Sequence, residues 1–276
     1  MKTALVQLCS GDDPAANLPI TQGFVAEAAA RGAGFILTPE VTNCVSTSRT
    51  RQQEVLHLEP DDPTLAALRQ QADTLGIWLL IGSLGLKTHD PDGRFANRSF
   101  LIGPDGAIRA RYDKIHMYDV QVTKKETHRE SDGYRPGTRA VLADTPFGAI
   151  GLGICYDMRF AHLYQALAQA GARILTAPAA FTPVTGAAHW HALLRARAIE
   201  NGAFMLAPAQ CGTHASTRGK QRDTYGHSLA VSPWGEVLVD GGDEPGVHIF
   251  DMDDKEVTQA RRKIPVLTHV RPFDGP

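Results

Sequence analysis

Three ionisable side chains lie at the ends of short apolar stretches that predict β-strands. The segment GFILTPE ends in Glu40, AIRARYDK ends in Lys114, and GAIGLGIC ends in Cys155. In layered α/β folds, side chains that directly follow the strands face a shared crevice. A carboxylate, an ammonium and a thiol that meet in one crevice would form a reactive set.

This set of groups would suit the cleavage of a bond between carbon and nitrogen. A free thiol has a pKa of about 8.5 and is only a few per cent thiolate at neutral pH. The helix predicted after Cys155 and the charge of Lys114 are expected to favour the thiolate. Glu40 could take the thiol proton, return it to a leaving amine and then activate water. Lys114 and the backbone N–H of Tyr156 would stabilise the oxyanion.

Each of the three residues also has a purely structural interpretation. Free cysteines are among the most buried residues, so Cys155 could be an inert core thiol. Glu40 could be an acid at a helix start, and Lys114 could be an exposed surface lysine. The spacing by itself leaves both interpretations open. The remaining cysteines lack ionisable neighbours of this kind and are interpreted as structural: Cys9, Cys44 and Cys211.

The predicted helices and strands around these groups alternate along the chain. The order helix, strand, helix, strand, hairpin occurs twice, which predicts an α/β protein with two similar halves and helix-covered sheets. The predicted strands cover residues 3–8, 34–40, 77–84, 148–155, 172–180, 202–210 and 247–253. The predicted helices cover residues 14–31, 63–76, 159–170, 189–201 and 254–263, and the hairpins residues 98–114 and 228–240. No linker divides the pattern, so we expect a single domain over residues 1–276.

Several classes of function are excluded by composition and by missing motifs. The hairpins favour a mixed sheet over an all-parallel Rossmann fold or a TIM barrel. The chain has neither a G-x-G-x-x-G turn after a strand nor a phosphate-binding G-x-x-x-x-G-K-[ST] loop, so nucleotide binding is not expected. A formal net charge of -2 and a pI near 6.6 give no electrostatic reason to expect nucleic acid as a partner.

Metal sites and membrane segments are likewise not expected. The four cysteines form no CxxC pair, and the spacing of His189 and His191 places their side chains on different faces of a helix. No signal segment precedes the first strand, and no apolar stretch reaches the length of a membrane span. We therefore expect a cytoplasmic protein with reduced thiols and no membrane partner.

Three separated motifs resemble those of the nitrilase, or carbon–nitrogen hydrolase, superfamily. Glu40 lies in LTPE, Lys114 in YDKIHMYDV and Cys155 in GLGICYDMRF, in the order of the family's glutamate, lysine and cysteine. The resemblance covers nearly the whole chain. It implies a four-layer α-β-β-α sandwich that forms a homodimer or a higher homo-oligomer and uses no metal or organic cofactor.

The resemblance also implies a second glutamate, which hydrogen-bonds the lysine and lies before a Pro-Gly pair. The segment ESDGYRPG points to Glu130 for this role. Glu126 in KKETHRE is the competing candidate, because loop length varies in this region of the family. We therefore expect a catalytic set of Glu40, Lys114, Cys155 and Glu130.

Further segments resemble the amidases that act on deaminated glutathione and on ω-amides of 2-oxo acids. Among them are AFTPVTGAAHW and AQCGTH, and the second favours the deaminated glutathione amidases. In this branch the residues matching Arg159 and Thr185 are implied to hold a substrate carboxylate. Arg159 follows the nucleophile by four residues, and a guanidinium there could bind a carboxylate through two hydrogen bonds. The alternative for Arg159 is a structural salt bridge.

The sequence as a whole favours an amidase. We expect it to hydrolyse the terminal carboxamide of a small carboxylate-bearing substrate through a cysteine thioester, with release of ammonia. A second hypothesis keeps the same machinery for an N-carbamoyl amino acid or a nitrile. A third hypothesis is a non-catalytic binding subunit that keeps the fold.

Overall fold

A computed structural model describes residues 1–123 and 126–275 of the chain. Within them, helices and strands alternate as the sequence pattern predicts. The helices are α1 Pro14–Ala30, α2 Arg49–Val55, α3 Pro63–Leu75, α4 Ala161–Gln169, α5 Pro183–Asn201 and α6 Asp254–Lys263. The strands of the first half are β1 Lys2–Gln7, β2 Phe35–Leu37, β3 Trp78–Leu86, β4 Ala96–Ile102, β5 Ile108–Asp113, β6 Asp119–Thr123 and β7 Glu126–Arg129. Those of the second half are β8 Val141–Ala143, β9 Ile150–Leu152, β10 Ile174–Thr176, β11 Phe204–Ala207, β12 Cys211–Thr213, β13 Asp223–Tyr225, β14 Leu229–Val231, β15 Val237–Asp240 and β16 Gly246–Asp251.

Two mixed six-stranded sheets with matching topology form the centre of the molecule. The first has the order β16-β1-β2-β3-β4-β5, and the second has the order β15-β14-β11-β10-β9-β8. In each sheet three central strands run parallel, β1-β2-β3 in one and β9-β10-β11 in the other. An antiparallel hairpin extends each sheet on one side, and one antiparallel strand closes it on the other. The predicted α/β fold with two pseudo-symmetric halves is therefore confirmed.

Successive side chains along a strand point to opposite faces of the sheet, and each face packs against a neighbouring layer. Leu5 and Leu37 belong to the hydrophobic cluster shared with the second sheet. Their neighbours in the chain, Val6 and Ile36, pack instead with residues of α1 and α3. This alternation is expected when both faces of a sheet are buried. It gives the α-β-β-α layering that the resemblance implied.

Local sequence signals explain where the first two long helices begin. Asp13 caps α1 by accepting a hydrogen bond from the backbone N–H of Ala15, and Pro14 occupies the first helical position. Asp62 and Pro63 play the same parts in α3. An acidic cap supplies an acceptor for an otherwise unpaired N–H, and proline loses no hydrogen bond at the first position.

The structure differs from the sequence prediction at two helix starts near the motif residues. Helix α5 begins at Pro183 and not at residue 189, because proline is accepted at the first helical position. Helix α4 begins at Ala161 and not at residue 159, because residues Cys155–Arg159 form a separate 3₁₀ helix. The hairpin of β6 and β7 and the short helix α2 were not predicted at all.

Gly82 in β3 is a point where three segments approach too closely for a side chain. A Cβ at this position would collide with the carbonyl oxygen of Thr38 and lie 2.5 Å from Pro39 O and Pro178 Cβ. These contacts belong to the loops that follow β2 and β10. The backbone of Gly82 therefore sets the distance between the two loops that lead to the motif residues.

We predict that Gly82→Ala lowers the free energy of unfolding by about 1–3 kcal/mol, the usual cost of overpacking a core. Urea unfolding should show a lower midpoint with an unchanged slope. Gly23→Ala is the matched control, since Gly23 lies inside α1 with nothing within 4 Å of its missing Cβ. That variant should gain about 0.5–1 kcal/mol from helix propensity. Equal losses in the two variants would contradict the proposed crowding at Gly82.

Candidate active site

Glu40 is a buried carboxylate held at both oxygens. It lies three residues beyond the end of β2, and the side chain of Asn97 donates a hydrogen bond of 2.9 Å to its Oε1. The backbone N–H of Ala180, in the loop after β10, donates to Oε2 at 2.9 Å. Donors from both sheets therefore fix the orientation of this carboxylate.

Lys114 directly follows β5 and connects two carboxylates. Its Nζ lies 2.8 Å from Glu40 Oε1 and 2.8 Å from both oxygens of Glu130. Glu130 Oε2 also accepts a hydrogen bond of 2.7 Å from the backbone N–H of Tyr118. The competing candidate, Glu126, lies on β7 and pairs with His128 at 3.0 Å. Of these two glutamates, Glu130 is the one that reaches the Lys114 ammonium.

Cys155 sits at a sharp bend between β9 and α4. Its backbone has a φ of 48°, in the left-handed region that non-glycine residues rarely occupy. The Cys155 N–H donates to Pro178 O at 2.9 Å, and this bond helps to hold the strained conformation. Strain of this kind typically costs about 1–3 kcal/mol and is concentrated at functional sites.

Burial and a neighbouring carboxylate oppose the ionisation of Cys155. Burial raises the pKa of Cys155, and the negative charge of Glu40 raises it further, so that the opposing effect of Lys114 is outweighed. Lys114 does act to lower this pKa, as the sequence predicts, but burial and Glu40 outweigh it. A hydrogen bond between Cys155 and Glu40 also raises the pKa of the thiol and lowers the pKa of the carboxyl group.

The Glu40 carboxylate stays ionised next to that thiol. Burial acts to raise its pKa, but the charge and the hydrogen bond of Lys114 outweigh burial and hold the pKa below its ordinary value. Burial likewise acts to lower the pKa of Lys114, but Glu130 and Glu40 raise it well above the ordinary value. The resting site thus contains a thiol, a carboxylate able to accept its proton, and a permanent cation.

Asp157 connects the segments that carry Lys114 and Cys155. This carboxylate is completely buried and accepts hydrogen bonds from the backbone N–H of Ile154 at 2.9 Å and from Tyr112 Oη at 2.7 Å. Its other oxygen accepts a hydrogen bond of 3.0 Å from the backbone N–H of His116. The same oxygen lies 2.7 Å from His116 Nδ1. Because Tyr112 and His116 flank Lys114 in sequence, Asp157 fixes the position of the lysine relative to the cysteine.

The predicted substrate-binding residues border the same site. Arg159 has no carboxylate within 4 Å among the described residues, which contradicts the salt-bridge alternative. Its guanidinium lies over the rings of Tyr156 and Phe181, with distances of 5.9 and 5.4 Å to the ring centroids. Thr185 lies in the first turn of α5, where its hydroxyl is 2.8 Å from that of Thr182.

Two residues of the site, Asn97 and Asp157, were not singled out from the sequence. Asn97 bridges Glu40 and Glu130, at 2.9 and 3.4 Å, but it lies in an ordinary strand pattern. Asp157 lies within the CYDMRF motif, so its closeness to the nucleophile was the available signal. Neither residue could be assigned a partner from sequence spacing.

One group of side chains outside this site has the composition of a metal site. His191, His227 and Asp240 place their ligand atoms within 4.8 Å of one another. However, one oxygen of Asp240 lies 2.8 Å from the His191 ring and the other lies 2.8 Å from the His227 ring, so the three groups already satisfy one another by hydrogen bonding.

The helices of the described residues include none with the length and apolar character of a membrane span.

We predict that Lys114→Met lowers the free energy of unfolding at pH 7 by about 3–5 kcal/mol, because it leaves buried carboxylates without their cation. Cys155→Ala, which removes an uncharged thiol from the same site, serves as the control and should stay close to the wild type. The folded-state pKa of Glu40 is lowered, so its stabilising effect is present above the ordinary value of 4.5 and is lost as the pH falls through the folded-state value. Urea unfolding at pH 7 and pH 4 should therefore show a smaller gap between Lys114→Met and wild type at the lower pH. A gap independent of pH would contradict this electrostatic account.

Comparisons with known proteins give matches over nearly the whole chain. The family model described as carbon–nitrogen hydrolase matches residues 2–262. The chain is 38% identical over 273 residues to the deaminated glutathione amidase of Yersinia enterocolitica, covering 97% of this chain and 92% of that protein. It is 36% identical over 273 residues to the omega-amidase NIT2 of Homo sapiens, covering 98% of this chain and 95% of that protein.

A solved structure gives the same result for the fold. The crystal structure of the C. elegans NitFhit protein matches with a TM-score of 0.89 and 34% sequence identity. The match covers 98% of this chain and 65% of that longer chain, slightly less than two thirds. The resemblance first seen in three short motifs is therefore confirmed over nearly the whole chain. The chain belongs to the carbon–nitrogen hydrolase family and is an amidase of the nitrilase superfamily, whose members use a catalytic cysteine, glutamate and lysine.

Proposed function

We propose that Cys155 is the nucleophile, Glu40 the general acid and base, and Lys114 the oxyanion-stabilising cation of this amidase. The observation that carries the proposal is the position of the Lys114 ammonium, 2.8 Å from Glu40 and from Glu130, beside a strained cysteine. The substrate is the linear amide of a small molecule that bears a carboxylate. Water completes the hydrolysis without a metal or an organic cofactor.

The first half of the reaction forms a thioester. The Cys155 sulfur attacks the amide carbon while its proton passes to Glu40, so that the thiolate forms only as the new bond is made. The carbonyl oxygen becomes an oxyanion stabilised by Lys114 Nζ and by the backbone N–H of Tyr156. The C–N bond then breaks, Glu40 returns the proton to the leaving amine, and the acyl group remains on sulfur.

The second half hydrolyses the thioester. Glu40, ionised again, takes a proton from water, and the resulting hydroxide attacks the thioester carbon. The second oxyanion uses the same two donors. When it collapses, the C–S bond breaks and Glu40 returns its proton to sulfur, which restores the thiol and releases a carboxylic acid.

Glu130 acts through Lys114 in this scheme. Together with Glu40 it raises the pKa of the lysine, so the ammonium stays charged through both halves of the reaction. Its Oε2 is held by the N–H of Tyr118, which fixes the direction in which Lys114 points. Glu130 is therefore a positioning residue, and Lys114 does not serve as the base.

Two substrate classes fit a guanidinium beside the nucleophile. The similarity to a deaminated glutathione amidase supports an amide of a 2-oxo dicarboxylic acid whose leaving amine is cysteinylglycine. The similarity to an omega-amidase supports the simple ω-amide of the same acid, which releases ammonia. In both substrates the 2-oxo acid carboxylate would bind Arg159, with Thr185 as a further donor. N-carbamoyl amino acids and nitriles are the alternatives that a rate comparison must test.

We also propose that the chain forms a homodimer and works in the cytoplasm. Ile199 of α5 and Trp234 in the turn between β14 and β15 are about half exposed and lie on adjacent segments, since a Cβ at Gly235 would touch Ile199. An apolar surface of this kind favours contact with a second copy. Sedimentation of the wild type and of a Trp234→Glu variant would test the dimer.

The proposal of a cytoplasmic location has a separate basis, since a reducing compartment would keep the Cys155 thiol available.

We predict that Cys155→Ala abolishes hydrolysis while the protein remains folded. The test compares rates on deaminated glutathione, 2-oxoglutaramate, an N-carbamoyl amino acid and a simple nitrile. Intact mass after brief mixing should show the acyl group on the wild type and not on the variant. Cys9→Ser is the matched control, because Cys9 is the exposed thiol and should not affect the rate. Full activity of Cys155→Ala would rule out the mechanism.

We predict that Arg159→Gln raises KM for carboxylate-bearing amides by about 10- to 100-fold, since charge-assisted hydrogen bonds typically contribute 1.5–3 kcal/mol. Arg159→Lys should recover part of this loss, because it keeps the charge but not the planar fork. An uncharged amide such as propionamide provides the reference substrate, whose KM should change little. A parallel loss on charged and uncharged amides would show that Arg159 supports the fold and not the substrate.

A further inference from the structure

Arg222 is a second guanidinium close to the proposed base. It directly precedes β13 and is half-buried, and its Nη2 donates a hydrogen bond of 2.5 Å to the carbonyl oxygen of Ala180. The N–H of the same Ala180 donates to Glu40. Only one residue of backbone therefore separates the Arg222 guanidinium from the Glu40 carboxylate.

The charge of Arg222 acts on the site but is not neutralised within the described chain. Burial acts to raise the pKa of Glu40. The charge of Arg222 lowers this pKa, although less than Lys114 does. No carboxylate of the described residues lies within 4 Å of it, whereas Arg218, in the same loop, pairs with Glu54 at 2.6 Å. The Nε of Arg222 is buried without an acceptor among the described residues. A buried donor without a partner is unfavourable and calls for an explanation.

Arg222 and Arg159 border consecutive residues of one loop. Arg222 binds the carbonyl of Ala180, and the Arg159 guanidinium lies 5.4 Å from the ring centroid of Phe181. Ala180 and Phe181 both belong to the loop between β10 and α5, and the Ala180 N–H donates a hydrogen bond to Glu40. Two cations without carboxylate partners therefore lie beside the same reacting centre. A substrate with one carboxylate can neutralise only one of them.

We propose that Arg222 binds a second carboxylate of the substrate, on the side of the leaving amine. This inference rests on the proposed function, in which Arg159 holds the carboxylate of the acyl part. The preferred substrate class is then an amide with a carboxylate at each end, whose leaving amine is a short peptide. Deaminated glutathione belongs to this class, and 2-oxoglutaramate does not.

The test compares three substrates that differ in the distal carboxylate. They are deaminated glutathione, its analogue with a carboxamide at the C-terminal glycine, and 2-oxoglutaramate. Arg222→Gln should raise KM for deaminated glutathione by about 10- to 100-fold with little change in kcat, and should change the other two by less than about threefold. Arg222→Lys should lose less than Arg222→Gln. Arg218→Gln is the matched control and should change none of the three.

Two results would overturn the proposal. One is an equal loss on all three substrates, which would mean that Arg222 acts only through Glu40 or the Ala180 loop. The other is no loss on deaminated glutathione. Failure of the proposed function is a separate outcome, because it would appear as no hydrolysis of any of these substrates by the wild type.

Binding to the Cys155→Ala variant keeps the proposal testable without turnover. Calorimetry should then show that deaminated glutathione binds at least about 10-fold more tightly than its carboxamide analogue, and that adding Arg222→Gln removes this difference. Equal affinity for the two compounds in the Cys155→Ala variant would contradict a second carboxylate site.

Discussion

The active site depends on one buried ammonium held between two carboxylates. Without Lys114, the charges of Glu40 and Glu130 would face one another in a region nearly closed to water, and neither could stay ionised at little cost. With it, Glu40 remains a base at a pKa below its ordinary value, next to a thiol whose own pKa is raised. The proton can therefore move from sulfur to carboxylate during the attack, and no stable thiolate is required.

The fold supports this cluster by bringing both sheets to the same place. Glu40 and Lys114 follow strands of the first sheet, and Cys155 follows a strand of the second. Contacts between the loops set their relative positions: the Ala180 N–H on Glu40, the Pro178 carbonyl on the Cys155 N–H, and the close approach of Gly82. The backbone N–H and C=O groups of these loops need hydrogen-bond partners, and residues of the site supply these partners.

Asp157 illustrates how a buried carboxyl group can fix the geometry of a site. It is fully buried, yet its four hydrogen-bonding contacts join the Lys114 segment to the bend at the nucleophile. A buried polar group in such a position would be left without partners, at a cost in free energy, if these contacts were lost. The arrangement therefore penalises conformations in which the lysine and the cysteine separate.

The alternation of elements, the two similar halves and the three motif residues could be predicted from the sequence, because strand and helix periodicity and short motifs are local properties of the chain. The sequence could not decide between Glu126 and Glu130, the partners of Asn97 and Asp157, or the position of Arg222 beside Glu40, since these depend on contacts between residues 16 to 140 positions apart. It indicated that Lys114 would lower the pKa of Cys155, but not that other effects would outweigh this one. Burial and the approach of Glu40 raise that pKa, and both arise only when the two sheets pack together.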